Sequence, residues 1–295
     1  MDTKWELEEL DRSRERGVWD RWGVQDAERR GEWMLYALNQ RRIYAPLEHS
    51  ELPHQFARVA ATEDALLPFV KTYGRLGWEE IMSDAGRNQG SRKWFDDAMN
   101  QHDTLIAREC EWAVYAEPIE WIKAHARTVN WCLAAGHALR IAEKRKRSRE
   151  CERLADTLPK PAGLRRSISW NGFERQRYDN AFVDFVGLML EDYLWINLTG
   201  VRRRVKYSLG EVRSLWGGNS LLESIYTSVT DSVTVGRLGQ CSACGAVFIQ
   251  TDERQRFCPP RAGQEKSSCM NRLRVRRYRN KQLKEQRNAK KTRAR

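Results

Sequence analysis

The sequence predicts a mainly α protein: a helical N-terminal domain, with space for one small β hairpin, followed by a small cysteine-rich module. Three observations predict it. Apolar residues recur at spacings of three and four between Glu117 and Asp156, the period of one helix face. Ser220 and Glu223 stand three apart before an apolar run, the pattern of a capping box. Cys241, Cys244, Cys258 and Cys269 fall within 29 residues, directly before an arginine-rich block.

Taken in order, residues 1–31 are dense in charge and read as a helix or frayed arm. Glu32 to Leu38 reads as a strand, with a helix start as the alternative; its aromatic content and the following Pro46 favour the strand. Thr62-Glu63-Asp64 is an N-cap signal for a helix that begins at Ala65 and stops near Gly74 or Gly77, with Pro68 tolerated in its first turns. Residues 83–103 are polar, with two glycines, and read as a loop. A long helix is expected from Glu117 to Asp156, with Pro118 in its first turn. Its apolar face is Ile122, His125, Val129, Cys132, Leu133, Gly136 and Leu139, and its charged run 143–147 is solvated. Residues 157–163 read as a connection, rich in proline. An apolar helix over 179–199 ends at Gly200, and Val201 to Leu215 forms a small hairpin turning at Leu209-Gly210-Glu211. The capped helix runs from Ser220 to about Val233. The division expected is a helical domain over 1–236, subdivided near 157–163, a finger over 237–280 and a basic tail over 281–295.

Composition narrows the function. The chain has 295 residues, 41% hydrophobic and 31% charged, with 12 Trp. No apolar run approaches the ~18 residues of a transmembrane helix, and the start of the chain lacks a signal-peptide core. The expected setting is the cytoplasm, with no membrane partner. The formal net charge is +12, and +11 of it lies in residues 271–295, where eight Arg and four Lys face one Glu. Residues 1–240 balance to zero. A basic block of that kind commonly meets a polyanion.

In a reducing compartment four clustered cysteines favour a metal over disulfides. Cys241 and Cys244 form a Cys-x-x-Cys knuckle, whose tight turn Gly245 permits. Val247-Phe248-Ile249 reads as a strand, and Phe257 to Pro260 as the end of a second. Cys269 heads the arginine-rich helix. Four thiolates around one Zn²⁺ leave no open position, so the expected cofactor is one structural zinc in a treble-clef or ribbon-like finger, with an iron–sulfur cluster as the alternative.

The stretch from Gly239 to Arg279 resembles the CGNR-type zinc finger of bacterial regulators. The resemblance rests on Phe248, Asp252, Arg254, Arg256, Phe257-Cys258 and Cys269-Met270-Asn271-Arg272, followed by Arg274, Arg277, Tyr278 and Arg279. Met270 replaces the Gly of the motif, and Arg261 to Ser267 are extra. More weakly, Tyr44 to Glu48, Phe56-Ala57, Asp64 to Gly77 and Ser220 to Val233 resemble the ABATE-like helical domain that precedes this finger. The resemblance implies a transcription regulator that binds DNA.

The basic segment supplies the candidate contacts. Arg272, Arg276 and Arg279 share one helical face, and Arg274, Arg277 and Lys281 a neighbouring one. Arg272, Arg274 and Arg276 are candidate guanine readers, and Asn271 either reads adenine or caps the helix. Arg254 and Arg256 complete the nucleic-acid set. DNA is favoured over RNA, and a nucleoid location follows from it. An RNA- or ribosome-associated zinc protein remains the alternative, as does an enzyme targeted by the finger. A homodimer through the helical domain and an unidentified small-molecule effector stay open.

No Walker loop, dinucleotide fingerprint or zincin motif is present, and no catalytic residue is expected. His125 with Cys132 reads as core packing rather than a ligand pair. Glu117/Glu120 and Glu191-Asp192 read as solvated acids. His49 and His54 flank Pro53 in a loop with no visible partner. Trp112, Trp121, Trp131 and Trp195 read as core.

Overall fold

The computed structural model describes residues 26–37, 46–78, 81, 115–145, 149–159, 181–198, 202–208, 211–217, 220–260, 264 and 266–293. The fold is mainly helical, with a small β region and a cysteine cluster near the C-terminal end. The expected loop over 83–103, most of the 157–163 connection, the hairpin turn at Leu209-Gly210, Trp112 and Gly200 lie outside the described residues.

The chain is first described in a three-stranded antiparallel sheet: β1 (Asp26–Arg30), β2 (Trp33–Ala37) and β3 (Tyr115–Pro118), in that order. The strand reading of 32–38 holds over Trp33–Ala37, and Leu38 lies outside the described residues. Of the charged segment 1–31, expected to be a helix or frayed arm, residues 1–25 lie outside the described residues, and Asp26–Arg30 form β1, where pairing with β2 satisfies the backbone and Gly31, at φ 55°, makes the turn. Met34, Leu35 and Tyr36 are fully buried.

Two short helices follow, α1 (Leu52–Val59) and α2 (Leu66–Tyr73). The segment expected to be a loop around Pro53 is α1: Pro53 sits in its first turn, where its missing N–H costs nothing. The N-cap of α2 is Ala65, and the Thr62 hydroxyl instead donates to the Arg58 carbonyl at 3.4 Å. Gly74, at φ 93°, ends α2 at one of the two expected stops.

The range expected to be one long helix, Glu117 to Asp156, holds two, α3 (Ile119–Arg145) and α4 (Arg149–Asp156), with residues 146–148 outside the described residues. Glu117 and Pro118 belong to β3 instead. Glu117 is only 1% exposed. Its carboxyl accepts from the backbone N–H of Leu76 (3.0 Å), Gly77 (2.6 Å) and Trp78 (3.0 Å) and from the Tyr36 hydroxyl (2.7 Å). Burial, then the Glu117 charge, hold the Tyr36 phenol well above its usual range, so it stays a donor. Glu117 therefore staples β3 to β2 and to the segment after α2. Its neighbour Glu120 is the exposed acid of the pair, beside Lys123 and Arg127. Glu191 is exposed and Asp192 half-buried.

Helix α3 is the spine of the core. It packs against α1, α4, α5 (Ala181–Asn197) and α6 (Leu221–Val235). Its expected face is inward: Ile122, Val129, Cys132 and Leu133 are buried, and Leu139 is partly so. Trp131 donates to the Leu154 carbonyl of α4 at 3.1 Å and meets the Tyr193 ring of α5 edge-on. Trp195 is 75% exposed, which corrects its reading as core; it faces away from α3 on α5. The capping box of α6 is formed as expected. Ser220 Oγ accepts from the Glu223 N–H, Glu223 Oε2 accepts from the Ser220 N–H, both at 3.1 Å, and Gly236 closes the helix at φ 71°. The predicted hairpin is present as β4 (Arg202–Ser208) paired with β5 (Glu211–Gly217). No helix among the described residues is long and apolar enough to cross a membrane.

Candidate metal centre and basic helix

The cysteine module is built on a two-stranded antiparallel ribbon, β6 (Leu238–Gln240) and β7 (Val247–Ile249), with Gly239 opposite Phe248. β7 is the predicted strand. Its partner is β6, not Phe257 to Pro260, which is irregular because two prolines withhold donors from any ladder. The knuckle closes between the strands. Cys241 N–H donates to the Ala246 carbonyl, and Gly245 N–H to the Cys241 carbonyl, both at 2.9 Å. Gly245 makes this turn at φ 76°.

The second half of the module is held by amides. Asp252 Oδ1 accepts from the Arg254 N–H at 2.7 Å, making a local turn. Gln255 Oε1 accepts from the Thr251 N–H, and the Ser242 N–H donates to the Arg256 carbonyl, bringing the loop back against the knuckle. Cys258 follows. Ser267 then starts α7 (Ser268–Arg293): its carbonyl accepts from the Asn271 N–H and its hydroxyl from the Met270 N–H. Cys269 lies in the first turn.

These folds bring all four predicted ligands together. The sulfurs of Cys241, Cys244, Cys258 and Cys269 lie within 4.8 Å of one another. Cys244 and Cys258 are 3.4 Å apart, far beyond a disulfide bond. Zn–S bonds of about 2.3 Å in a tetrahedron put sulfurs just under 4 Å apart, which this set meets with small adjustments. An iron–sulfur core interposes its own sulfides and spreads its thiolates farther; the compact set suits a single ion. Three of the cysteines are buried and pack around Phe248.

The acid–base chemistry fits a cation. Burial, then hydrogen bonds and charge from Cys244 and Cys241, push the Cys258 thiol far up. Burial, then the same two neighbours, push Cys269 up to about 11. Burial opposes the Cys241 thiolate too, but backbone amides at Ala243, Cys258 and Cys244 outweigh it and bring Cys241 down to about 7. One thiolate thus forms readily and resists the next. A divalent ion at the centre cancels that repulsion, and binding is then coupled to release of the protons. The cluster is a site for one structural metal, consistent with Zn²⁺, and it has no free ligand position for catalysis.

The module rests on the helical core. His54 of α1 donates from Nδ1 to the Val247 carbonyl at 3.2 Å, and its ring meets Phe248 edge-on at 6.2 Å. Gln55 donates to the Pro260 carbonyl. Leu238 and Ile249 join the main apolar cluster. Sequence reasoning missed this dock. The signal was Pro53 ahead of a short apolar run with Phe56, Ala57 and Val59.

The predicted nucleic-acid residues divide into two groups. Arg254 and Arg256 are exposed on the turn between β7 and Cys258. Asn271, Arg272, Arg274, Arg276, Arg277, Arg279 and Lys281 are all exposed along α7. Asn271 sits inside the helix, so Ser267 and not Asn271 starts it. Lys281 lies 3.9 Å from Glu285, one turn on. His125 and Cys132 are core, as expected. Nδ1 of His125 shares a hydrogen bond with the Tyr226 hydroxyl at 3.0 Å, and burial lowers its pKa to about 3. Burial pushes the Cys132 thiol up, which leaves it inert.

Comparison with family models, with curated proteins and with solved structures found no match.

Proposed function

We propose that this chain is a zinc-dependent nucleic-acid-binding protein, and that it acts as a DNA-binding regulator of transcription. One observation carries the reading: α7 leaves the cysteine cluster at Cys269 and presents six basic side chains to solvent between Arg272 and Lys281. A helix with this charge repels itself. A metal at its first turn and phosphate along its sides both stabilise it. The bound cluster supports the helix further, since four thiolates and one divalent ion leave a net negative charge beside the N-terminal amides. The CGNR-type resemblance supports a bacterial, cytoplasmic regulator. The chain is read as a binding protein rather than an enzyme, with the helical core as its support.

The test is fluorescence anisotropy of the zinc-loaded protein on a labelled duplex at increasing salt. Four to six phosphate contacts predict a log–log slope of about −4 to −5. Deleting 271–295 is expected to remove most of the affinity at low salt. Equal binding by the truncated protein would overturn the reading.

A further inference from the structure

Between Asn271 and Gln282, helix α7 carries two basic flanks and, between them, an exposed seam without a cation. At about 100° per residue, Arg272, Arg276 and Arg279 point one way and Arg274, Arg277 and Lys281 point roughly 165° away. The two sets are opposite flanks, not the neighbouring faces expected from the sequence. Between them run Asn271, Val275, Tyr278 and Gln282, spaced four, three and four apart. Val275 is 50% exposed and Tyr278 63%, and Asn271 and Gln282 are exposed as well. Gln282 Nε2 donates to the Tyr278 hydroxyl at 2.9 Å, which orients its amide along the seam.

We infer that this seam reads base edges in the major groove of B-form DNA, while the two flanks hold the phosphate rows on either wall. This rests on the nucleic-acid reading above and adds which face reads and which grips. The charge pattern selects the occupant. Cations on opposite flanks match two anionic rows with a neutral floor between them. A single protein surface or a single strand offers one such row. A helix about 10–12 Å across fits a major groove about 12 Å wide. The major groove of A-form RNA is too narrow to admit it. From Asn271 to Gln282 the helix rises about 16 Å, the length of about five base pairs.

The seam has the chemistry for reading. The amides of Asn271 and Gln282 match the N6 donor and N7 acceptor of adenine, and Val275 matches the thymine methyl. Arg272, Arg274 and Arg276, candidates for guanine on sequence grounds, become phosphate contacts. The preferred site is A·T-containing.

The experiment selects a preferred site from a randomised duplex library with the full-length zinc-loaded protein. Affinities for that site and a scrambled duplex are then compared among variants. Asn271→Ala, Val275→Ala and Gln282→Ala should each reduce the preference for the selected site, by about tenfold for the amides, and leave the salt slope unchanged. Arg276→Ala and Arg277→Ala should weaken both duplexes alike and flatten the slope by about 0.9 each. All five positions are exposed, and far-UV circular dichroism verifies that the variants stay folded. Preference that survives the seam substitutions, preference that shifts with the arginine substitutions, or equal affinity for an RNA duplex overturns the inference. So does duplex binding with no sequence preference, which leaves the broader reading intact. Failure to bind any nucleic acid removes that broader reading first.

Discussion

Nδ1 of His54 and the carbonyl oxygen of Val247 stand 3.2 Å apart, and this bond crosses from α1 to the ribbon that carries the cysteines. A carbonyl only accepts, so Nδ1 holds a proton. Nε2 is buried, with no hydrogen-bond partner among the described residues. Burial, the largest influence, and then the nearby Arg58 charge bring the His54 pKa to about 4, against the bond to Val247.

Acid should therefore loosen the protein. His54, at about 4, and His125, at about 3, both lie below the ordinary 6.5. The unfolded chain takes up protons at these sites before the folded one does. Their contribution is complete above about pH 6.5 and falls as pH drops towards 4, by no more than about 2 kcal/mol each between pH 7 and 5. Urea unfolding at the two pH values measures it. His54→Gln and His125→Gln should each flatten the dependence, and an unchanged profile would refute the assignment.

Glu117→Gln should cost about 2–3 kcal/mol. The amide puts an N–H where a backbone N–H or the Tyr36 hydroxyl now donates, leaving buried donors opposed. Urea denaturation measures the loss. A change below about 0.5 kcal/mol would show that the staple is dispensable.

Gly136→Ala should destabilise although alanine is the better helix former. A Cβ at Gly136 would stand 2.7 Å from Val233 Cγ2 and 2.9 Å from Leu238 Cδ1. Val233 is stiff and cannot swing away. Overpacking of about 1–3 kcal/mol exceeds the gain of about 1 kcal/mol in propensity. A raised melting temperature would contradict this.

Metal removal should be felt in the helical core. Leu238 and Ile249 belong to the main apolar cluster, and their ribbon is closed by the cysteines. Chelation, or Cys258→Ser, is expected to lower the melting temperature of the whole helical signal. Metal analysis should first find about one zinc per chain. Unchanged core melting after complete zinc loss would show that the dock is only an adhesion.

These contacts separate what the sequence reveals from what it hides. Periodicity reveals α3, because seven positions repeat one spacing. The capping box reveals α6, because Ser220 and Glu223 act within one turn. The ligand set is legible because four cysteines so close in a short polar segment point to a shared metal. Glu117 is not legible. Its partners are Tyr36, 81 positions earlier, and the backbone near Gly77, and no local pattern reports a bond that long. The α1 dock is hidden for the same reason: His54 and Val247 are 193 positions apart. Trp195 misleads because an aromatic in an apolar helix resembles core until the neighbouring helix chooses its side.

The exposure of α7 gives salt two opposite effects. Arg272, Arg276 and Arg279 lie within one or two turns of each other, as do Arg274, Arg277 and Lys281, and among the described residues only the Glu285 carboxylate beside Lys281 makes an ion pair with them. Salt screens that mutual repulsion and favours the helix. In the proposed complex with a duplex, the same salt removes the entropy gained when condensed cations leave the DNA, and so weakens binding. Free arm order and grip on the polyanion should run in opposite directions along one ionic-strength axis. On the proposed function, the ionic strength that best orders the free arm is not the one at which it binds most tightly.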